Sequence, residues 1–184
     1  MELDSSLSSG LLISRHGETT DNEMGVLSGH RQVGLSPRGY AQARRLEVLL
    51  RGTRIDTIYT SDLRRSLETG IIVSRNAIKV CSTPLLRERD GGSITGRLRH
   101  EVDWDKLPAD VESCSEMMDR AYRFLRQLAP GNILIIGHEG INKALIAVLI
   151  GCSMREASYQ TCVKEHCGLS YFPVRIYESS REAV

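Results

Sequence analysis

Three segments of this sequence place phosphate-competent side chains directly after a short apolar run. Ser14-Arg15-His16-Gly17 follows Leu11-Leu12-Ile13. Thr60-Ser61-Asp62-Leu63-Arg64-Arg65-Ser66 follows a second run, and Gly137-His138 follows Ile135-Ile136. Any one of these alone carries little weight, since Arg-His-Gly occurs by chance in many proteins. Together, strand ends delivering His, Arg and His read as one anion site suited to phosphoryl transfer. Transfer to a side chain needs a nucleophile in line behind phosphorus and positive groups around the equatorial oxygens. A neutral imidazole is nucleophilic near pH 7, because its free pKa is about 6.5. Arginine suits the oxygens, being permanently charged and able to bind two of them side by side. The leaving alkoxide needs a proton, which a nearby carboxylic acid can supply.

The elements that must position these groups alternate along the chain. Residues 11–13 read as a strand. A helix starts at Ser36-Pro37, carries Ala43, Leu46, Leu49 and Leu50 at helical spacing, and stops at Gly52. Residues 55–60 read as a strand, about 62–74 as a helix and 78–82 as a short strand. The clearest helix runs from Ser113 to about Ala129, with a Ser113/Glu116 capping box and an apolar face of Met117, Ala121, Phe124, Leu125 and Leu128. A buried strand over 132–136, an apolar helix over 141–150 and a final strand over 169–176 complete the series. This alternation predicts an α/β protein of three layers, a mainly parallel central sheet covered by helices on both faces. The pattern predicts a single domain over residues 11–177, between a loose polar lead at 1–10 and a loose tail at 178–184. In such sheets ligands bind beyond the carboxyl ends of the strands, where His16, the 61–65 segment and His138 all fall.

Bulk properties fit that reading. A chain of 184 residues can bury a sizeable core without disulfide or metal staples. Its 41% hydrophobic and 26% charged residues are ordinary for a globular protein. A net charge of +1 gives no reason to expect nucleic acid or an anionic membrane as partner. The first ten residues lack the basic start and apolar core of a secretory signal, and the longest apolar run, 144–150, is far too short for a bilayer. A cytoplasmic protein is therefore expected, with its five scattered cysteines as reduced thiols. Cys162, His166 and Cys167 raise a metal question. Their spacing fits no standard zinc pattern and only Cys152 offers a further ligand, so packing residues near a strand start are the preferred reading.

With these residues in view, the chain resembles the histidine phosphatase superfamily, also called phosphoglycerate-mutase-like, over about residues 11–177. Arg15-His16-Gly17-Glu18-Thr19 followed by Asn22 is similar to the family's opening motif. Gly25 through Leu35-Ser36, then Gly39 and Gln42-Ala43, resembles its substrate loop and first helix. Ser61-Asp62-Leu63-Arg64-Arg65-Ser66 with Thr69 resembles the segment supplying the second arginine, and Leu86-Arg87-Glu88-Arg89 with Gly92 and Gly96 the segment of the proton donor. Glu112-Ser113 and Arg120 resemble the start of the helix before the last catalytic strand, and His138 stands in the place of the second histidine.

The resemblance implies that His16 is the nucleophile that becomes phosphohistidine. It implies that Arg15, Arg65 and His138 hold the phosphoryl oxygens, with Asn22, Ser28 and Gly29 as further substrate contacts. Glu88 would protonate the leaving oxygen; Glu139 is its competitor, because the acid-phosphatase branch takes its donor from the residue after the second histidine. No metal or other cofactor is implied. Ser14, His30, Gly34, Gly91 and Glu139 depart from the usual pattern at the rim of the site, and bear on substrate rather than chemistry. Arg31, Arg89, Arg97, Arg99 and His100 are candidates for the pocket mouth, and favour a small polyanion as partner: a sugar phosphate, a phosphoglycerate-type acid or a nucleotide-derived phosphate. Hydrolysis is preferred to a mutase reaction, because the covering segment at 97–111 is short. A binding module without turnover is the rival from another class.

Overall fold

The computed structural model describes residues 10–173. The chain runs β1 (Gly10–Arg15), α1 (Thr20–Glu23), α2 (Pro37–Leu49), β2 (Thr57–Thr60), α3 (Arg64–Ser74), β3 (Lys79–Ser82), α4 (Cys114–Arg126), β4 (Ile133–Gly137), α5 (Glu139–Ile150), α6 (Met154–Ala157), α7 (Thr161–Lys164) and β5 (Leu169–Pro173). Three short 3₁₀ turns, Pro84–Leu86, Gly92–Ile94 and Arg99–Glu101, punctuate the stretch between β3 and α4.

Among the described residues the sheet has the order β3-β2-β4-β1-β5. β5 alone runs antiparallel, on the edge beside β1. β1 and β2 both pair in parallel with β4, in a register that matches Arg15 to Gly137 and both Ser14 and Thr60 to Ile136. The carboxyl ends of the three strands are therefore level, and the residues that follow them emerge side by side.

Side chains alternate across this sheet, as strand geometry requires. Leu11 and Ile13 of β1 join Ile133 and Ile135 of β4 in a core shared with Met117, Phe124, Ile141 and Leu145 of α4 and α5. Leu12, Leu134, Ile136 and Ile58 point the other way, onto Leu46, Leu50 and Val73 from the α2 and α3 side. Two helical layers thus cover the two faces, and strands buried on both faces read as unbroken apolar runs. No helix among the described residues is long and apolar enough to cross a membrane.

Element boundaries moved for identifiable reasons. α5 begins at Glu139 rather than 141, because its first turn is polar and carries no apolar periodicity; the His138 carbonyl accepts the Asn142 N–H at 2.9 Å. α4 ends at Arg126 rather than 129, since Gln127 and Leu128 close onto Phe124 and Leu125 through tighter three-residue turns. α2 ends at Leu49, and Leu49 is exposed; Leu50 takes the inward place expected of both. β2 starts at Thr57 rather than 55, and β3 at Lys79 rather than 78. Gly10 belongs to β1 and not to the lead, its N–H donating to Asn132 Oδ1 at 3.1 Å. The four-residue helices α1, α6 and α7 are too short to show a period in sequence. The lead before residue 10, the final strand beyond 173 and the tail lie outside the described residues.

Candidate active site

His16 leaves β1 as the ladder ends, its N–H donating to the Gly137 carbonyl at 3.0 Å. Its ring is buried, with Nδ1 2.6 Å from the Gly17 carbonyl oxygen. A carbonyl can only accept, so Nδ1 carries the proton and Nε2 the lone pair. Burial, then the charges of Arg65 and Arg15, push the pKa of His16 well below 6.5. The imidazole is neutral at pH 7, with its nucleophilic nitrogen held free. Close approach of the chain makes this turn possible: a Cβ at Gly17 would come within 2.6 Å of the Gly39 carbonyl oxygen in α2.

His138 precedes α5 and is fully buried, its ring centroid 4.9 Å from that of His16. Ser61, at the end of β2, stands 2.7 Å from His138 Nε2. The Ser61 oxygen already accepts the Leu63 N–H at 3.2 Å, so its own proton is available to Nε2. With that proton given to Nε2, His138 carries its own on Nδ1, a buried atom with no protein partner. Burial and the cations Arg65 and Arg15, with His16 between them in weight, keep this ring neutral as well. An orphaned N–H donor in a buried pocket is a costly feature unless an anion satisfies it.

The two arginines complete the cradle. Arg15 is anchored through one terminal nitrogen to the Val163 carbonyl at 3.2 Å, while its buried Nε has no partner. Arg65, only 2% exposed, donates to the Gly29 carbonyl at 2.8 Å and the Arg31 carbonyl at 3.0 Å. Burial brings its pKa down to about 10, against the opposing pull of Glu88 and Asp21, so it remains charged at pH 7. Two cations, two orphaned N–H donors and a free imidazole nitrogen converge where three parallel strands end. Such a set can hold a phosphoryl group and attack it.

Glu88 lies in the segment after the Pro84–Leu86 turn. One of its oxygens, Oε1, accepts the N–H groups of Arg89 and Gly140, each at 2.8 Å. The fields of Arg15 and Arg65 both feel this carboxylate, which places it beside the cradle. Its backbone is braced by Arg120 from α4, which donates to the carbonyls of Leu85 and Arg87 and ion-pairs with Glu112 at 2.8 Å. His30 adds a bond from Nε2 to the Glu88 carbonyl at 2.8 Å. The competitor Glu139 is surrounded by cations. Burial raises its pKa, but Arg15, Arg99 and Lys143 overcome that and hold it down to about 2. A carboxylate held that low by three cations is a poor proton donor.

Ser28 Oγ is buried without a partner, and Gly29 turns the substrate loop at a φ of +48°. Asn22 is drawn into α1: its Oδ1 accepts from the Thr19 N–H at 3.1 Å and the Thr19 hydroxyl at 2.9 Å. Of the rim cations, Arg31 pairs with Asp21 at 3.3 Å and Arg99 with Glu139 at 3.0 Å. Arg89 turns away to Cys114, and Arg97 to the Glu101 carbonyl.

Two residues of the site escaped sequence reasoning. Ser61 lies within its segment, and nothing in its type distinguishes it from other strand-end serines. His166 stands beside Cys167 and close to Cys162 in sequence, a spacing that raises a metal question. It instead donates from Nδ1 to the His16 carbonyl at 3.1 Å, with its ring 5.5 Å from the nucleophile's. Cys167 puts it there, adopting a φ of +57° and donating its N–H to the Arg15 carbonyl at 2.9 Å. Among the described residues, no three His, Cys, Asp or Glu side chains are grouped to hold a metal ion, and all five cysteines are free thiols.

Comparison with known proteins agrees with this geometry. The family model of the histidine phosphatase superfamily (branch 1) matches residues 11–177, and the chain belongs to that family. Adenosylcobalamin/alpha-ribazole phosphatase of Escherichia coli is 31% identical over 176 residues, covering 85% of this chain and 86% of that protein. A metal-independent phosphoserine phosphatase of Arabidopsis thaliana is 27% identical over 157 residues, covering 73% of this chain and 66% of that one. A crystal structure of a protein proposed to be an alpha-ribazole-5'-P phosphatase, also from E. coli, superposes with a TM-score of 0.78 at 28% identity, over 89% of this chain and 90% of that one. The fold is shared too with phosphoserine phosphatase of Entamoeba histolytica, at a TM-score of 0.78 and 23% identity over 91% and 92% of the two chains. By family and relatives, the chain is a phosphatase.

Proposed function

We propose that this enzyme hydrolyses a small phosphomonoester without a metal, through a phosphohistidine on His16. The observation that carries the proposal is the Nδ1 contact of His16 with the Gly17 carbonyl, which leaves Nε2 unprotonated beside two unpartnered donors, Arg15 Nε and His138 Nδ1. In the first step the Nε2 lone pair attacks phosphorus and the ester P–O bond breaks. The leaving alkoxide takes a proton from Glu88. In the second, water attacks the phosphohistidine, Glu88 takes its proton, and the N–P bond breaks to return neutral His16 and inorganic phosphate. Arg15, Arg65 and His138 carry the equatorial charge in both transition states.

Relatives named for phosphates of a nucleoside, an amino acid and a sugar acid support a small metabolite as substrate, in the sugar-phosphate, phosphoglycerate-type or nucleotide-derived classes. Free cysteines are in keeping with a cytoplasmic enzyme. The test is phosphate release from a panel of phosphometabolites in excess EDTA, by wild type and His16→Ala side by side. We expect turnover by wild type alone, inhibited by vanadate, which mimics five-coordinate phosphorus. Activity abolished by EDTA, or retained by His16→Ala, would contradict the mechanism.

A further inference from the structure

Glu139 is a half-buried carboxylate that the proposed chemistry does not use, and it engages three cations, Arg15, Arg99 and Lys143. Arg99 reaches it through both terminal nitrogens, at 3.0 and 3.3 Å. Lys143, one turn along α5, stands 2.8 Å from Oε1, and Arg15 3.6 Å from Oε2. Arg99 is in turn fixed over the ring of Trp104, 5.2 Å from its centroid, while the Trp104 indole N–H donates to the Arg99 carbonyl at 3.3 Å. Through this contact the covering segment is fastened to the residue directly after His138. The neighbouring residue Gly140 donates to Glu88 Oε1, which ties the start of α5, where Glu139 sits, to the residue proposed as the acid.

A substrate whose alcohol carries a second anion would need cations beyond those that hold the phosphoryl group. Here Arg99 and Lys143 are each already paired with Glu139, and an incoming anion would have to compete with that carboxylate for them. Like charges brought together in a partly dry site cost far more than in water. We propose that Glu139 is a specificity-determining residue. It selects phosphomonoesters of uncharged alcohols and discriminates against those with a carboxylate or second phosphate next to the ester. The inference rests on the phosphatase reading and narrows its substrate class.

The test uses glycerol 3-phosphate and 3-phosphoglycerate, which differ in a hydroxymethyl against a carboxylate. Each is measured as a competitor of p-nitrophenyl phosphate hydrolysis by wild type, Glu139→Gln and Arg99→Gln. Wild type should prefer glycerol 3-phosphate. Glu139→Gln should shift the ratio toward 3-phosphoglycerate by about tenfold or more. Arg99→Gln, which leaves the carboxylate less compensated, should shift it the other way. An unchanged ratio in a folded Glu139→Gln protein overturns the proposal. So does a loss of kcat that grows with leaving-group pKa while the ratio stays fixed, since that would make Glu139 the acid. If wild type fails to turn over p-nitrophenyl phosphate at all, the phosphatase reading fails separately, and calorimetric titration of the same pair still reads the discrimination.

Discussion

At the scale of single residues, the site is a set of proton positions fixed by backbone and hydroxyl partners. The Gly17 carbonyl fixes the proton of His16 on Nδ1, and a Ser61 hydroxyl donating to His138 Nε2 puts that ring's proton on the atom that faces no protein group. Ser61→Ala removes the second of these constraints. His138 can then hold its proton on either nitrogen, and kcat should fall by about tenfold while the fold stays intact, a loss typical of one misdirected oxyanion donor or less. Steady-state kinetics check this, and an unchanged kcat would mean that Ser61 does not set the tautomer. His16, Arg15, Arg65 and His138 were legible from sequence because their types are chemically distinctive and each follows an apolar run. Ser61 and His166 were not, because a common serine and a histidine between cysteines announce their roles only once three strand ends lie level. Arg99 was recognised as a rim cation, but its partner Glu139 is 40 residues away and the pairing is a property of the fold.

At the scale of elements, accuracy of the sequence reading followed the strength of the local signal. The Ser113–Glu116 capping box and the Ser36-Pro37 start of α2 are present as expected, each with its N-cap oxygen accepting from a backbone N–H three residues on. α4 presents the expected apolar face, all of it buried. α5 was placed two residues late, since the turn that carries Glu139 and Gly140 to the site is polar. The 84–111 stretch is held by side chains rather than by periodicity, Arg120 above all, and so was legible only as a motif. That arginine positions Glu88 without touching substrate. Arg120→Met should therefore mimic Glu88→Ala in kind, slowing alkyl phosphates by about tenfold more than p-nitrophenyl phosphate, whose leaving group needs little protonation. Leaving-group dependence of kcat measures this. Equal losses on both substrates would show that Arg120 acts on something other than the acid.

At the scale of the whole molecule, the sheet was legible as mainly parallel because strand and helix patterns alternate along the chain. The strand order was not, since it depends on crossovers that leave no local trace. Burying two imidazoles and half-burying a third beside two arginines also has a consequence for stability. His16 and His138 titrate well below 6.5 in the folded protein, and His166 is pushed down to about 4 by burial and Arg15. The unfolded chain binds protons at these positions below about pH 6.5, whereas the folded one does not. Stability should therefore be level from pH 8 to 7 and fall steadily from about pH 6.5 to 4. Thermal unfolding should show the Tm dropping over that interval, with a shallower slope in His166→Gln. A Tm unchanged between pH 7 and 5 would mean that the three rings are not held neutral.

The central claim is that His16 carries the phosphoryl group between the two half-reactions. Rapid mixing with a good substrate, alkaline quench and phosphopeptide mapping at alkaline pH test it most directly. The account predicts a transient phosphoenzyme, stable to alkali and labile to acid, on the peptide containing His16 and missing from His16→Ala. Turnover by the wild-type enzyme with no such intermediate, or with label on another residue, would contradict it.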